Sequence, residues 1–332
     1  IGACLESLMS QDYPKDRYEV IVVDNDSSDR TAKIIQRYPV TYLLEREVHN
    51  PAGARNRGLR EVRGAIIAFT DGDCVAARDW LQLGVAAFRH DRIGCVAGEI
   101  QSYSLHTAAQ RYVEKKQATS QQWAVYEAFK PFAQTGNALY RRAVLERVGV
   151  FDASMTSGSD ADLSWRMQDE MGFSVVYCPE AIVYHRHPAT AMGLLKQRRR
   201  YGYASVHLYL QYWRQMGRRT LKHTYWDVLA LARRVRRLAA ACVELVGSWL
   251  RGRHDPEPVA LAWLDVLSDL SWKLGQAQAS LRYRVWPDGD VFRFAVSGAI
   301  AGRTIDETST LPRACPSTPA LDSNARFTWT RR

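Results

Sequence analysis

Two short apolar runs, each ending in a burst of carboxylates, narrow the possible folds more than any other feature of this chain. Tyr18 to Val23 (YEVIVV) runs into Asp24-Asn25-Asp26-Ser27-Ser28-Asp29, and Ala65 to Thr70 (AIIAFT) runs into Asp71-Gly72-Asp73. Continuous β-branched runs of this length suit strands buried on both faces. Between them the pattern predicts a helix over Thr31 to Tyr38, a strand over Val40 to Leu44 and a helix over Ala52 to Val62. Strand, loop, helix, strand is the grammar of an α/β protein with a mostly parallel, doubly wound sheet flanked by helices. In such sheets ligands gather outside the carboxyl ends of the strands, where both acidic loops fall.

The surrounding sequence extends this pattern. Ile1 to Gln11 reads as an amphipathic helix with Leu5, Leu8 and Met9 on one side, and no strand precedes it, so the expectation is a sheet whose first strand is missing. A helix over 79–90 and a strand over Ile93 to Ile100 follow. Residues 101–130 form a polar, aromatic excursion, helical around Ala108 to Gln122, in a place to cover an active site. Beyond Thr135 to Arg142 come a helix to Val148, the acidic segment Ser159 to Arg166, a strand over Ser174 to Tyr177, a turn at Cys178-Pro179 and the stretch Ala181 to His187. The expected organisation is a catalytic domain over 1–190, a helical, arginine-rich extension over 191–303, and a disordered tail over 304–332 that lacks periodicity.

Charge bears on partners. The formal net charge of +10 is uneven, with basic clusters in Lys196 to Arg200, Arg214 to Arg219 and Arg233 to Arg237. No zinc finger, RNP motif or basic zipper is present, so nucleic acid is not an expected partner; an anionic membrane surface needs only charge beside apolar area. Val228 to Trp249 reads as a basic amphipathic helix, with Val228, Leu231, Val235, Leu238, Cys242, Val246 and Trp249 opposite Arg233, Arg234, Arg236 and Arg237. Its stripe is expected to be a packing face, with a membrane contact as the alternative. Cys4, Cys74, Cys95, Cys178, Cys242 and Cys315 show no CxxC spacing and read as reduced thiols, and no apolar stretch is long enough to span a bilayer. The expected location is cytoplasmic, with peripheral attachment to the inner face of the cell membrane as the alternative.

Four clusters are candidates for chemistry. Asp71 and Asp73, one residue apart at a strand end, present hard oxygen ligands for Mg²⁺ or Mn²⁺, although Asp-Gly is also ordinary turn chemistry. Asp24 opens a segment that is either a helix cap or a nucleobase contact. Asp160 and Asp162 sit at a helix start, where Asp162 and Arg166 have the spacing of an ion pair and Asp160 is a cap or a base. His185-Arg186-His187 follows a strand and offers an imidazole metal ligand or a satisfied structural histidine.

Taken together, in order and spacing, these segments resemble glycosyltransferase family 2, the inverting enzymes of the GT-A fold. The matching stretches are LESLMSQDYP (5–14), YEVIVVDNDSSDRT (18–31), AGARNRGL (52–59), GAIIAFTDGD (64–73), TGNALYRRAVLERVGVFD (135–152), GSDADLSWR (158–166) and VYHRHP (183–188). The resemblance implies a nucleotide-diphospho-sugar donor, a divalent cation (Mn²⁺ or Mg²⁺) and an acceptor that is a glycan, a lipid-linked carrier or a small molecule. It assigns Asp24 to the nucleobase, Arg55 or Arg57 to the diphosphate, Asp71 to the ribose side, Asp73 and His185 to the metal, and Asp160 to the catalytic base. Ser159 stands where the family commonly has an acidic residue, so Asp162 is kept as an alternative base; Asn137 and His187 are possible auxiliary residues. The other readings are a nucleotidyltransferase making a nucleotide sugar, and a non-catalytic fragment that binds only nucleotide or membrane.

Overall fold

A computed structural model of the protein describes residues 1–216, 221–250, 255–284 and 327–330. The chain opens with α1 (Gly2–Met9), then β1 (Val20–Asp24), α2 (Thr31–Ile35), β2 (Thr41–Leu44), α3 (Pro51–Leu59) and β3 (Ile66–Thr70). After the Asp71-Gly72-Asp73 turn come β4 (Cys74–Ala76), α4 (Trp80–Ala86), β5 (Ile93–Ser102), α5 (Ala108–Lys115) and α6 (Gln121–Tyr126). The α/β part finishes with β6 (Asn137–Arg141), α7 (Arg142–Val148), α8 (Ser159–Met171) and β7 (Ser174–His185). Three long helices follow, α9 (Ala191–Met216), α10 (Leu221–Leu250) and α11 (Glu257–Tyr283). Of the tail expected over 304–332, only Phe327–Thr330 lie among the described residues; they form a strand, β8, parallel to β1.

The α/β architecture is as expected, but the sheet is mixed. One sheet has the order β2-β1-β8, all parallel; the other has the order β3-β6-β5-β7-β4, in which only β5 and β7 run parallel. Strand β4 was not legible in the sequence: three residues directly after a turn carry no usable period.

Both faces of β3 are buried, which is why its sequence is continuously apolar. Ile66 and Ala68 join Leu5, Leu8, Val22, Trp80 and Val96 on one side, while Ile67 and Phe69 join Tyr140, Leu145, Phe151, Leu163 and Met167 on the other. This alternation is the period of a strand between two helical layers.

The turn expected at Cys178-Pro179 is instead a bulge inside one long strand. Pairing along β5 and β7 steps from Gly98↔Cys178 to Glu99↔Ile182, so residues 179–181 bulge out of the ladder. Pro179 has no N–H to donate and is tolerated at such a break. The Asn137 amide closes the break, donating 2.8 Å bonds to the carbonyls of both Glu99 and Ala181. β7 therefore runs on to pair His185 with Cys74.

The helical region is no detached appendage. Tyr212 of α9 packs on Ala161 and Trp165 of α8, and Leu194 of α9 and Leu264 of α11 pack on Tyr112 and Val113 of α5. The contact that α10 makes with α11 corrects the expected packing face. Arg237 and Arg234 lie 3.1 Å and 3.7 Å from the Asp265 carboxylate, Arg234 lies 3.5 Å from Asp269, and Lys273 lies 2.6 Å from Asp227. Val228, Val235, Val246 and Trp249 of the apolar stripe are exposed, and Leu238 is buried. A helix that matches arginines to carboxylates on its neighbour turns its apolar stripe away.

Two glycines allow α9 and α11 to cross in near contact. A Cβ at Gly202 would stand 2.1 Å from the Trp272 carbonyl oxygen, and one at Gly275 would stand 1.9 Å from the Arg199 carbonyl oxygen. Because those obstacles are backbone, they cannot turn aside. Gly275→Ala is expected to force the helices apart and to lower stability by about 1–3 kcal/mol, read as a fall in urea midpoint at unchanged slope; a midpoint equal to the parent's would show that the crossing tolerates a methyl group.

Candidate active site

The Asp71-Gly72-Asp73 turn stands at the carboxyl end of β3, and the two carboxylates have different surroundings. Asp71 is 9% exposed, with one oxygen 3.0 Å from Nη2 of the buried Arg55. Arg55 reaches it from α3, with its guanidinium over the Phe151 ring at 5.6 Å. Asp73 is open, its side chain 54% exposed.

The extended β7 brings His185 beside Asp73. Its Nε2 lies 3.5 Å from Asp73 Oδ1, and Asp73, Cys74 and His185 place potential ligand atoms within 4.8 Å of one another. The backbone ties the same elements together, since the Arg186 N–H donates to the Asp73 carbonyl at 2.9 Å. Burial, reinforced by the charges of Asp71 and Asp73, pushes the Cys74 thiol well above the ordinary range, so it stays protonated and leaves the hard carboxylate and the imidazole as the fitting ligands.

Behind His185 sits His187, buried, with the two Nδ1 atoms 3.0 Å apart. Burial first, then the neighbouring His185, lowers the His187 pKa from 6.5 to about 4, which keeps it neutral at physiological pH. Across this contact one ring nitrogen donates and the other accepts.

Asp160 and Asp162 are separated by the helix that carries both. Asp162 is fully buried: Arg166 Nε donates to one oxygen at 2.9 Å, while Gln211 Nε2 at 2.9 Å and the Tyr212 hydroxyl at 2.7 Å donate to the other. Its oxygens are committed to holding α8 on α9. Asp160 occupies the first turn of α8, accepts a 3.0 Å bond from the Ala161 N–H, and lines a cavity of about 840 Å³. Asp71, Asp73 and His185 line the same cavity, together with the covering segment 116–123 and residues of α9 and α11.

Other sequence expectations are revised. Arg55 is bound to Asp71, and Arg57 pairs with Glu61 at 2.9 Å one turn along α3, so neither is presented to a diphosphate as a free cation. Asn137 is wholly buried; besides closing the bulge it accepts a 2.7 Å bond from Trp80 Nε1, so its side chain acts as a structural clamp. Asp24 ends β1, buried, accepting from the Ser27 N–H at 3.0 Å and the Tyr42 hydroxyl at 3.3 Å, and it lies outside the large cavity. Sequence reasoning missed the cavity residues Trp123, Arg198, Tyr201 and Trp272. The Lys196 to Arg200 cluster reads as a surface patch, and nothing in its composition says that Arg198 turns inward.

Comparisons with known proteins bear on the family and the fold. Residues 1–149 match the model of the family described as glycosyl transferase family 2. The glycosyltransferase AglE of Haloferax volcanii is 34% identical over 63% of this chain and 70% of its own length. A β-monoglucosyldiacylglycerol synthase of Nostoc sp. is 26% identical over 69% of this chain, which spans about half (51%) of that protein. Among solved structures, the mannosyltransferase PcManGT from Pyrobaculum calidifontis, in complex with GDP-Man and Mn²⁺, superposes with a TM-score of 0.56 at 22% identity, covering 82% of each chain. That likeness establishes the GT-A fold. The relatives are glycosyltransferases, which sets aside the nucleotidyltransferase alternative.

The state of His187 has a consequence for stability. Its pKa is lowered on folding, so the unfolded chain takes up a proton first: stability is full above about pH 6.5 and falls as the pH drops toward 4, by on the order of 2–3 kcal/mol. Urea unfolding at pH 7, 5.5 and 4.5 should show this decline, and His187→Asn should flatten it; equal declines in both proteins would exclude His187 as the source.

Proposed function

The chain belongs to glycosyl transferase family 2, and on that premise we propose that it moves a sugar from a nucleotide-diphospho-sugar to an acceptor hydroxyl in a single inverting displacement. The observation that carries this reading is the meeting of Asp160 with the Asp73–His185 pair in one cavity. Asp160, at a helix start and facing the cavity, takes the proton from the acceptor oxygen as that oxygen attacks the anomeric carbon. One displacement needs no enzyme nucleophile, so the configuration inverts.

Asp73 and His185 fit Mn²⁺ or Mg²⁺, with the open side of Asp73 left for diphosphate oxygens and water. The Mn²⁺ held by the mannosyltransferase of the same fold supports this choice. When bound, the cation offsets the charge that builds on the leaving nucleoside diphosphate. Arg55 holds Asp71 in place toward the ribose, and Asp24 stands on the nucleobase side. The segment 116–123 covers the cavity and limits water, the competing acceptor.

The names of the relatives support a glycan or lipid acceptor, and the outer face of α10 supports a peripheral contact with an anionic bilayer. That face carries Val228, Val235, Val246 and Trp249, and Arg233 and Arg236 are exposed elsewhere on the same helix. Among the described residues no helix is long and apolar enough to cross a membrane.

In a donor-turnover assay, Asp160→Asn should lower kcat by about 10² or more with donor affinity retained, and EDTA should abolish transfer until Mn²⁺ or Mg²⁺ is restored. Glu127, also in the cavity wall, is the control: loss in Glu127→Gln with activity kept in Asp160→Asn would move the base to the covering segment. For the membrane contact, sedimentation with anionic vesicles at low salt should fall when Arg233 and Arg236 are both replaced by Gln. Absence of binding at low salt, or binding indifferent to the substitutions, would reject it.

A further inference from the structure

We propose that the end of the cavity walled by Arg198 and Trp272 is a subsite for a phosphate group carried by the acceptor. The proposal rests on the reading of this cavity as a transfer site and adds to it the chemical class of the acceptor.

Arg198 projects from α9 and lays its guanidinium 4.7 Å from the ring centre of Trp272 on α11. Both residues line the cavity that holds Asp160 and the Asp73–His185 pair. The Arg198 Nε is buried and has no hydrogen-bond partner. A buried N–H left unmet is unfavourable, and a stacked guanidinium is held in one plane with its donors preset. A fork of donors fixed in this way matches the oxygens of a phosphate.

The other cations of the wall are committed elsewhere. Lys116 gives its ammonium to Asp265 at 2.7 Å, and Arg186 lies over the Tyr103 ring at 4.1 Å. The carboxylate that acts on Arg198 electrostatically, Asp269, is shared with Arg234 at 3.5 Å.

The position along α9 argues for the acceptor. Gln197, Arg198, Tyr201, Ala204, Ser205 and Leu208 form one helical face on the cavity. At its far end Leu208 packs on Gly158, the residue before α8, so closely that a Cβ on Gly158 would meet it at 2.6 Å. Ten residues of helix place Arg198 about 15 Å along the axis from that end, where Asp160 lies in the first turn of α8. An acceptor with its hydroxyl at Asp160 and its phosphate at Arg198 is therefore a short glycan bearing phosphate at the other end, and not a free monosaccharide.

The donor also carries phosphate, so the test has two arms. Calorimetric titration of the intact chain with inorganic phosphate in EDTA probes the subsite alone; titration with UDP and GDP in Mn²⁺ probes the donor side. The expected result is saturable phosphate binding that weakens at least tenfold in Arg198→Gln and by a smaller factor in Arg198→Lys, which keeps the charge but not the fork. UDP and GDP affinities should stay within twofold of the parent in both variants, which also shows that they are folded. No phosphate binding by the parent, or equal binding by Arg198→Gln, would overturn the subsite. Parallel loss of nucleoside diphosphate affinity would assign Arg198 to the donor and overturn the acceptor proposal. Failure of the parent to bind UDP or GDP with intact phosphate binding would count against the transfer reading while leaving the anion site standing.

Discussion

The buried amide of Asn137 is the interaction on which the geometry of the site depends. It sits at the start of β6, paired with Thr70 at the end of β3, and spends its side chain on three groups: the Trp80 indole N–H and the carbonyls of Glu99 and Ala181. The two carbonyls belong to the break in the β5–β7 ladder. With the break satisfied, β7 stays in the sheet past Pro179 and delivers His185 to Cys74, next to Asp73. A β7 that ended at Cys178, as the Cys-Pro dipeptide suggests, would leave the histidine without a sheet to hold it.

The carboxylates around the cavity divide into buried, paired ones and open ones. Asp71 and Asp162 are buried and matched, to Arg55 and Arg166, and each fixes a backbone segment. Asp73 and Asp160, each close in sequence to a buried partner, keep access to the cavity. Burial of a carboxylate demands donors on its oxygens, so the committed member of each pair steadies the turn or helix start that carries the other.

The helical region completes the cavity. Gly202 and Gly275 let α9 and α11 approach until backbone nearly meets backbone, and this close crossing brings Arg198 and Trp272 to the same wall. At the same time Asp265 draws in Lys116 from α5 and Arg234 and Arg237 from α10. Burial works against that carboxylate, but the ammonium, the Tyr112 hydroxyl and Arg234 hold its pKa below the usual range. Three elements, α5, α10 and α11, are thereby joined around one ion cluster at the edge of the cavity.

The sequence by itself determined the α/β class, the strands that end at Asp24 and Asp71, the helix that begins at Ser159, and the family, because buried parallel strands and helix starts are written in local composition and in motifs of fixed spacing. It did not determine the mixed direction of the sheet, the continuity of β7 or the strand β4, which depend on hydrogen bonds between segments far apart in the chain. Nor did it distinguish Asp160 from Asp162, or Arg198 from its neighbours in a run of arginines, since residues adjacent in sequence have the same chemistry until packing decides which is buried against Tyr212 and which faces the cavity. Asn137 and Arg55 were legible as conspicuous residues but not as supports. Only the tertiary structure shows that the Asn137 amide is already spent on two carbonyls and the indole, and that an Arg55 nitrogen is held by the Asp71 carboxylate.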